Sequence, residues 1–323
     1  MSKAIISDHN FRSVDLQVKV LEDAGFALET VSPICKTEDD VIRTCAQADV
    51  LLVQWAPITR RVMQNLSRLR GIVRYGVGVN NLDLDAARDL GIAIASVSGY
   101  CRDEVSDHTL AFILALGRRM IQDHANIGRG GWGIQDSVPI RAFRDTTLGL
   151  VGFGEIARHV ARKASVFGFR IIASDPFQPA KIFEQAGVER CDLDTVLSSS
   201  DILSLHCPLL PETQHLIRRD SIAKMRNGVI LINTSRGPVI NGSDLIAALQ
   251  SGHIAAAGLD VFEQEPPPLD SPLRSMPNVF LTSHAASIST RAVVLLQVKA
   301  AEAARDILLA KKPEGALVWA ESG

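Results

Sequence analysis

The sequence predicts an α/β protein of two doubly wound parallel-sheet domains, and three observations carry that prediction. Short apolar runs alternate with helix-periodic segments, the pattern of right-handed βαβ units wound around a parallel sheet. The alternation fills the first hundred residues and starts afresh at residue 147. The strand that opens the second series, Thr147 to Val151, passes straight into a Gly152-x-Gly154-x-x-Ala157 turn followed by an apolar-periodic segment.

In the first series, strands are expected at 3–8, 27–31, 49–53, 71–75 and 91–95. Helices are expected at 14–24, closed by Gly25, and then near 38–47, 59–68 and 83–90. No glycine fingerprint follows the first strand, so this is not the dinucleotide domain. One long helix is expected over 103–127, with Leu110, Ile113, Leu114, Leu116 and Met120 as its apolar positions, ended by the glycine-rich 128–133. The second series places strands at 147–151, 169–174, 188–190, 201–205, 229–233, 254–259 and 278–282, a Rossmann-type set. A last helix runs from Thr290 to Ala310, before Pro313; pattern alone does not say where it packs.

Composition narrows the function classes. The chain has 323 residues, 46% hydrophobic and 22% charged, with a formal net charge of −2 and no long basic run. A nucleic-acid footprint or an anionic-membrane surface is therefore not expected. No apolar run is long enough to cross a bilayer, and the first residues lack a signal-peptide pattern, so a cytoplasmic protein is expected. The five cysteines are scattered without CxxC spacing. They read as reduced thiols, with neither a disulfide framework nor a zinc site. Asp103, Glu104, Asp107 and His108 read as a decorated helix start, and no metal is expected.

In the fingerprint, Gly152 suits the tight turn and Gly154 lets backbone approach a pyrophosphate. Ala157 permits close helix–strand packing, and the helix start offers N–H groups to the anion. Phe153, Glu155 and Ile156 complete the loop. Asp175 ends the next strand about 20 residues on, where an acid hydrogen-bonds an adenosine ribose. Pro176-Phe177-Gln178 follows with no Arg or Lys to receive a 2′-phosphate. A carboxylate there accepts from a free diol and repels a phosphate, so NAD is expected over NADP.

Ligands of open parallel sheets sit beyond the carboxyl ends of the strands. His206-Cys207-Pro208, Asn233-Thr234-Ser235-Arg236-Gly237, Asp260, Glu265 and His284 all stand there. An arginine, a carboxylate and a histidine converging beside a nicotinamide would form a set for reducing a 2-oxo acid. Arg236 would hold the substrate carboxylate in a bidentate pair. His284 would exchange the proton of the hydroxyl, and Glu265 would orient the imidazole and favour its protonated form. Contacts to the cofactor are also expected from His206, Cys207, Pro208, Thr213, Thr234 and Ser235.

With these residues in view, the sequence resembles the D-isomer-specific 2-hydroxyacid dehydrogenase family. That family includes phosphoglycerate, D-lactate, glyoxylate and formate dehydrogenases and the C-terminal-binding-protein co-repressors. The resemblance runs from Arg74-Tyr75-Gly76-Val77-Gly78 through Tyr100 to His108, the fingerprint, His206 to Leu209 and Asn233 to Gly237. It ends with Gly258 to Pro266 and Ser283-His284-Ala285-Ala286. It implies a Rossmann NAD-binding domain over 101–286 inserted into a flavodoxin-like substrate-binding domain over 1–100 and 287–323. It further implies two hinge crossings, near 100 and 286, and a homodimer contact through 103–146. Arg236, Glu265 and His284 match the family's catalytic residues, and Asp260 matches the acid that binds the nicotinamide carboxamide. Tyr75, Gly76 and Val77 match the stretch that grips the substrate carboxylate.

The sequence departs from the family pattern at Glu155, where a basic or neutral residue is usual, at Asn80, where Asp is common, and at Ser287, where near relatives carry an aromatic residue. Glu265 argues against formate dehydrogenation, which goes with Gln there. The loop Val53-Gln54-Trp55-Ala56-Pro57-Ile58-Thr59 lacks the arginines that meet a phosphate, and Trp55 suggests a partly apolar pocket. The implied activity is hydride transfer between NAD(H) and C2 of a D-2-hydroxy or 2-oxo acid without a phosphate group. The alternative is an NAD-sensing scaffold with vestigial turnover.

Overall fold

The structure, a computed structural model, describes residues 2–133 and 140–319. The chain divides into two compact units, one of Met1–Cys101 with Ile288–Gly323, the other of Arg102–Ser287. It opens with β1 (Lys3–Ile6), α1 (Asp15–Glu22), β2 (Ala27–Thr30), α2 (Glu38–Thr44), β3 (Val50–Val53), α3 (Arg60–Asn65), β4 (Gly71–Arg74), α4 (Leu84–Leu90) and β5 (Ala93–Ser96). The second unit holds α5 (Arg102–Gly117), α6 (Met120–Gly128), β6 (Thr147–Val151), α7 (Glu155–Ala164), β7 (Arg170–Ser174), α8 (Ala180–Ala186), β8 (Glu189–Arg190) and α9 (Leu193–Ser199). It continues with β9 (Ile202–Leu205), α10 (Arg219–Ile222), β10 (Val229–Asn233), α11 (Gly242–Ser251), β11 (Ile254–Leu259) and β12 (Val279–Leu281). The chain then returns to the first unit as α12 (Thr290–Leu308) and β13 (Ala316–Val318).

The first sheet has the order β13-β5-β4-β3-β1-β2, parallel except for β13, which runs antiparallel to β5. Its two faces follow from the period of two in a strand. Leu51 and Val53 of β3 join Val41, Val62, Ala86 and Ala87 from α2, α3 and α4. Val50 and Leu52 point the other way, onto Leu21 of α1 and the stripe Leu296, Ala300, Ala304 and Ile307 of α12. That stripe recurs at helical spacing, so α12 buries its apolar face only by lying on this sheet. Local chemistry sets several helix starts: Thr37 and Asp40 form a capping box on α2, and Asp83 and Ser289 accept from the first-turn amides of α4 and α12.

The second sheet has the order β12-β11-β10-β9-β6-β7-β8, parallel at every described pairing. Leu148 and Leu150 of β6 face Phe112, Ala157, Val160 and Ala164 from α5 and α7. Leu203 and Leu205 of β9 face Leu197, Leu245 and Leu249 from α9 and α11. The winding reverses between β6 and β9, and the crevice at such a reversal is where ligands of doubly wound sheets bind.

Two expectations are corrected. The single helix over 103–127 is two helices, because Arg119 turns the chain in the left-handed region (φ 57°) between α5 and α6. β13 was not expected at all; it is an edge strand formed by pairing with β5. Within the expected dimer stretch 103–146, residues 134–139 lie outside the described residues.

Candidate active site

The geometry starts at the reversal between β6 and β9. The His206 N–H donates to Val151 O (2.7 Å) and the Gly152 N–H to Ser174 O (2.8 Å), which draws three strand ends together. Gly152 has φ 87°, and a Cβ there would lie 2.7 Å from Cys207 N and 2.8 Å from His206 C. Only glycine fits, because both obstacles are backbone. At Gly154 a Cβ would meet nothing within 4 Å, so open space faces the start of α7. Gly154 caps that helix without a side-chain hydrogen bond, leaving its first N–H groups to an anion.

Asp175 ties this turn to the end of β7. Its Oδ2 accepts from Phe153 N (2.8 Å) and its Oδ1 from Phe177 N (2.9 Å). Two donors leave the carboxylate further lone pairs for a diol. The Phe153 ring is buried and stacks on Phe183 at 4.5 Å, while Ile156 leans on the same core. Glu155 lies beside Arg102, Oε1 to Nη1 3.6 Å, a pairing that answers its unusual charge.

On the β9 side, desolvation pushes His206 down to about 4, so its ring is neutral at pH 7 and pairs Nε2 with Ser204 Oγ at 2.9 Å. Burial first, and then the charge of Asp175, pushes the Cys207 thiol up to about 11, which keeps it protonated and unreactive at pH 7. The Thr213 hydroxyl donates to Pro208 O (2.6 Å) and accepts from Leu210 N (2.8 Å), closing the turn after Pro208.

Arg236 is set by Asn233, the last residue of β10. Asn233 Oδ1 accepts from Ser235 N (3.0 Å) and Ser235 Oγ (2.8 Å), and its Nδ2 donates to Arg236 O (2.9 Å). Thr109 donates its proton to Val105 O, so the Thr234 hydroxyl is the donor in the 2.9 Å contact with Thr109. Arg236 Nη1 reaches Ser235 O at 2.6 Å. A Cβ on Gly237 would lie 1.9 Å from Phe262 C, so the loop of Arg236 rests directly on the loop of Glu265.

Glu265 and His284 meet through Oε2 and Nδ1 at 2.7 Å, while Glu265 Oε1 accepts from Phe262 N at 3.0 Å. Desolvation pulls the Glu265 carboxyl upward. The hydrogen bonds from His284 and Phe262, with the charges of His284 and Arg236, outweigh it and hold the group below its usual range. The arginine and the histidine thus each act electrostatically on Glu265.

His284 itself sits at φ 53°, a strained region for a residue with a Cβ. Asp260 holds it there. The His284 N–H donates to Asp260 O (2.8 Å), Ala285 N to Oδ1 (2.8 Å) and Ala286 N to Oδ2 (3.0 Å). Thr282 Oγ1 donates to Oδ1 as well, and with its proton engaged there it accepts from His108 Nε2 at 2.9 Å. Asp260 is 1% exposed, so the structure gives its carboxylate the work of shaping the turn under His284. His108, expected only as part of a decorated helix start, thus reaches the Asp260 turn through Thr282, a contact that leaves no local pattern in the sequence.

The remaining expected residues lie in the other unit, at the carboxyl ends of β3 and β4. Trp55 is 51% exposed and Val77 is 50% exposed. The buried Tyr75 hydroxyl donates to Gln17 Oε1. Gly76 has φ 112°, and any side chain there would collide with the Arg74 guanidinium. Among the described residues no cluster of His, Cys, Asp or Glu could hold a metal, and no helix is long and apolar enough to cross a membrane.

A family model described as D-isomer specific 2-hydroxyacid dehydrogenase, NAD binding domain, matches residues 110–286. D-3-phosphoglycerate dehydrogenase of Methanocaldococcus jannaschii is 36% identical over 269 residues, 83% of this chain and 50% of that protein. The chain thus spans half the length of that relative. Hydroxypyruvate reductase of Thermotoga maritima is 37% identical over 250 residues, 76% of this chain and 80% of that one. Among solved structures, the TT0316 protein of Thermus thermophilus superposes with a TM-score of 0.87 at 29% identity, covering 98% of this chain and 100% of that one.

Proposed function

The chain belongs to the D-isomer-specific 2-hydroxyacid dehydrogenase family, and from that premise we propose that it is an NAD-dependent oxidoreductase of 2-oxo and D-2-hydroxy acids. The observation that carries this reading is the 2.7 Å pair of His284 and Glu265 with the charge of Arg236 beside it. Binding of NAD fits the residues: the glycine cradle at 152 and 154, the open start of α7, and Asp175 with acceptor capacity to spare. When bound, NAD(H) supplies or takes up the hydride at its nicotinamide ring.

The protein's own residues do the rest. Arg236 holds the substrate carboxylate in a bidentate pair and fixes which face of C2 is presented. Glu265 occupies Nδ1 of His284, so Nε2 is the atom that gives a proton to the oxo oxygen, or takes it from the hydroxyl in the reverse direction. Asp260 keeps the His284 turn in place, and it remains the candidate partner of the nicotinamide carboxamide. In the other unit, Tyr75, Gly76 and Val77, with Trp55 as an apolar side chain, are the residues this proposal gives to substrate binding. With no arginine between Gln54 and Thr59, the substrate carries no phosphate. We further propose a cytoplasmic homodimer that pairs through residues 103–146, with the unit of 102–287 binding NAD and the other binding substrate.

The test is NADH oxidation across glyoxylate, pyruvate, hydroxypyruvate, branched 2-oxo acids and 3-phosphohydroxypyruvate, each repeated with NADPH. The expected result is turnover that favours NADH and unphosphorylated acids. Binding of NADH without turnover of any acid would favour the scaffold reading; faster turnover with NADPH would overturn the role of Asp175.

A further inference from the structure

The first sheet also has a winding reversal, between β1 and β3. Ligands of doubly wound sheets bind outside such a point. Asp8 stands there, just past the end of β1 and 1% exposed. Its Oδ1 accepts from Ser7 Oγ (2.7 Å) and Gln54 N (3.2 Å). Its Oδ2 accepts from Trp55 N (2.5 Å) and Ala56 N (3.3 Å). Three successive amides after β3 therefore converge on one buried carboxylate, and among the described residues no cation forms an ion pair with it.

A buried, unpaired charge is costly unless hydrogen bonds offset the lost water. These donors do so, and in return the carboxylate fixes the backbone of residues 54–56. The far end of the turn is held separately, by Asn81 Nδ2 donating to Ala56 O at 2.9 Å. Trp55 between them is half exposed, and its backbone N–H is one of the donors to Asp8.

We infer that Asp8 is a specificity-determining positioning residue: through the amides of residues 54–56 it aims Trp55 at the substrate and so selects 2-oxo acids with an apolar side chain. The inference rests on the proposed oxidoreductase function, which supplies the substrate. Asp8 touches no reacting atom and acts only through the loop.

The experiment uses Asp8→Asn in the full chain. An amide keeps one acceptor oxygen and turns an NH2 toward amides that also donate, so the loop loosens. For branched 2-oxo acids kcat/KM falls about ten- to hundred-fold through KM, the range for charged hydrogen bonds, and glyoxylate is affected less. Affinity for NADH is unchanged. Trp55→Ala reorders the acids in the same way, and adding Asp8→Asn to it changes the order by no more than about two-fold, as expected of one pathway. Amide hydrogen exchange at residues 54–56, slow in the wild type, accelerates in Asp8→Asn.

An equal loss for every acid would make Asp8 merely structural and overturn the inference, as would exchange at 54–56 that ignores the substitution. Should Asp8→Asn fail to fold, Trp55→Ala with an unchanged order of acids overturns it. A wild type that binds NADH but turns over no acid refutes the functional reading, and the exchange experiment still decides whether Asp8 holds the loop.

Discussion

Replacing Gly152 and Gly154 singly by alanine separates two roles that one fingerprint combines. At Gly152 the new Cβ is forced to φ 87° and lies 2.7–2.9 Å from backbone atoms of His206 and Cys207. The left-handed conformation costs about 1–2 kcal/mol and the forced shift about 1–3 kcal/mol, or about 2–5 kcal/mol together. For a unit of this size that lowers Tm by about 5–20 °C. The shift also strains the bond from His206 N to Val151 O, which joins the ends of β9 and β6. At Gly154 the backbone (φ −71°) accepts alanine and the Cβ meets nothing within 4 Å. Stability should change there by less than about 1 kcal/mol, the gain in chain stiffness offsetting a poorer cap. Yet that Cβ projects into the open space at the start of α7 that we propose for the pyrophosphate. Thermal unfolding and NADH fluorescence titration read both effects. Gly152→Ala loses stability and binding, whereas Gly154→Ala loses binding alone. Wild-type NADH affinity in Gly154→Ala would refute the placement of the cofactor, and an unchanged Tm in Gly152→Ala would refute the steric argument.

Two more outcomes follow from the site. Glu265→Gln offers one acceptor oxygen where His284 and Phe262 now each use their own, so one donor must face an NH2. Steady-state kinetics should show kcat/KM down about ten- to hundred-fold with NADH affinity preserved, and a change under two-fold would contradict the pairing. His206 is held below its usual 6.5, at about 4, so the unfolded chain takes up a proton before the folded one does. Its contribution is therefore intact above pH 6.5 and is lost as pH falls toward 4, by up to about 3 kcal/mol. Urea unfolding of His206→Asn should show a flatter decline of stability across that window, and an identical slope would contradict it.

The sheets were legible because strand and helix periodicity is written locally, and so was the cofactor turn, where glycine is demanded by the conformation at 152. The break between α5 and α6 was not legible: the apolar stripe continues through it, and only Arg119's backbone reveals the turn. β13 is short and owes its existence to β5, a partner more than two hundred residues away in the chain. Arg236, Glu265 and His284 could be picked out because each follows a strand of the second series. The roles of Thr282, His108 and Asp8 could not be read, since each acts through hydrogen bonds that exist only once distant segments meet, nor could that of Asn233, whose bonds depend on the fold of its own turn.

The central claim is that His284 handles the proton while the glycine turn and Asp175 handle the cofactor. His284→Gln, assayed for NADH affinity and for NADH oxidation by the best 2-oxo acid, tests it most directly. The account predicts a kcat lowered about 10²- to 10⁴-fold with NADH affinity close to wild type. Retained turnover, or loss of NADH binding in its place, would contradict it.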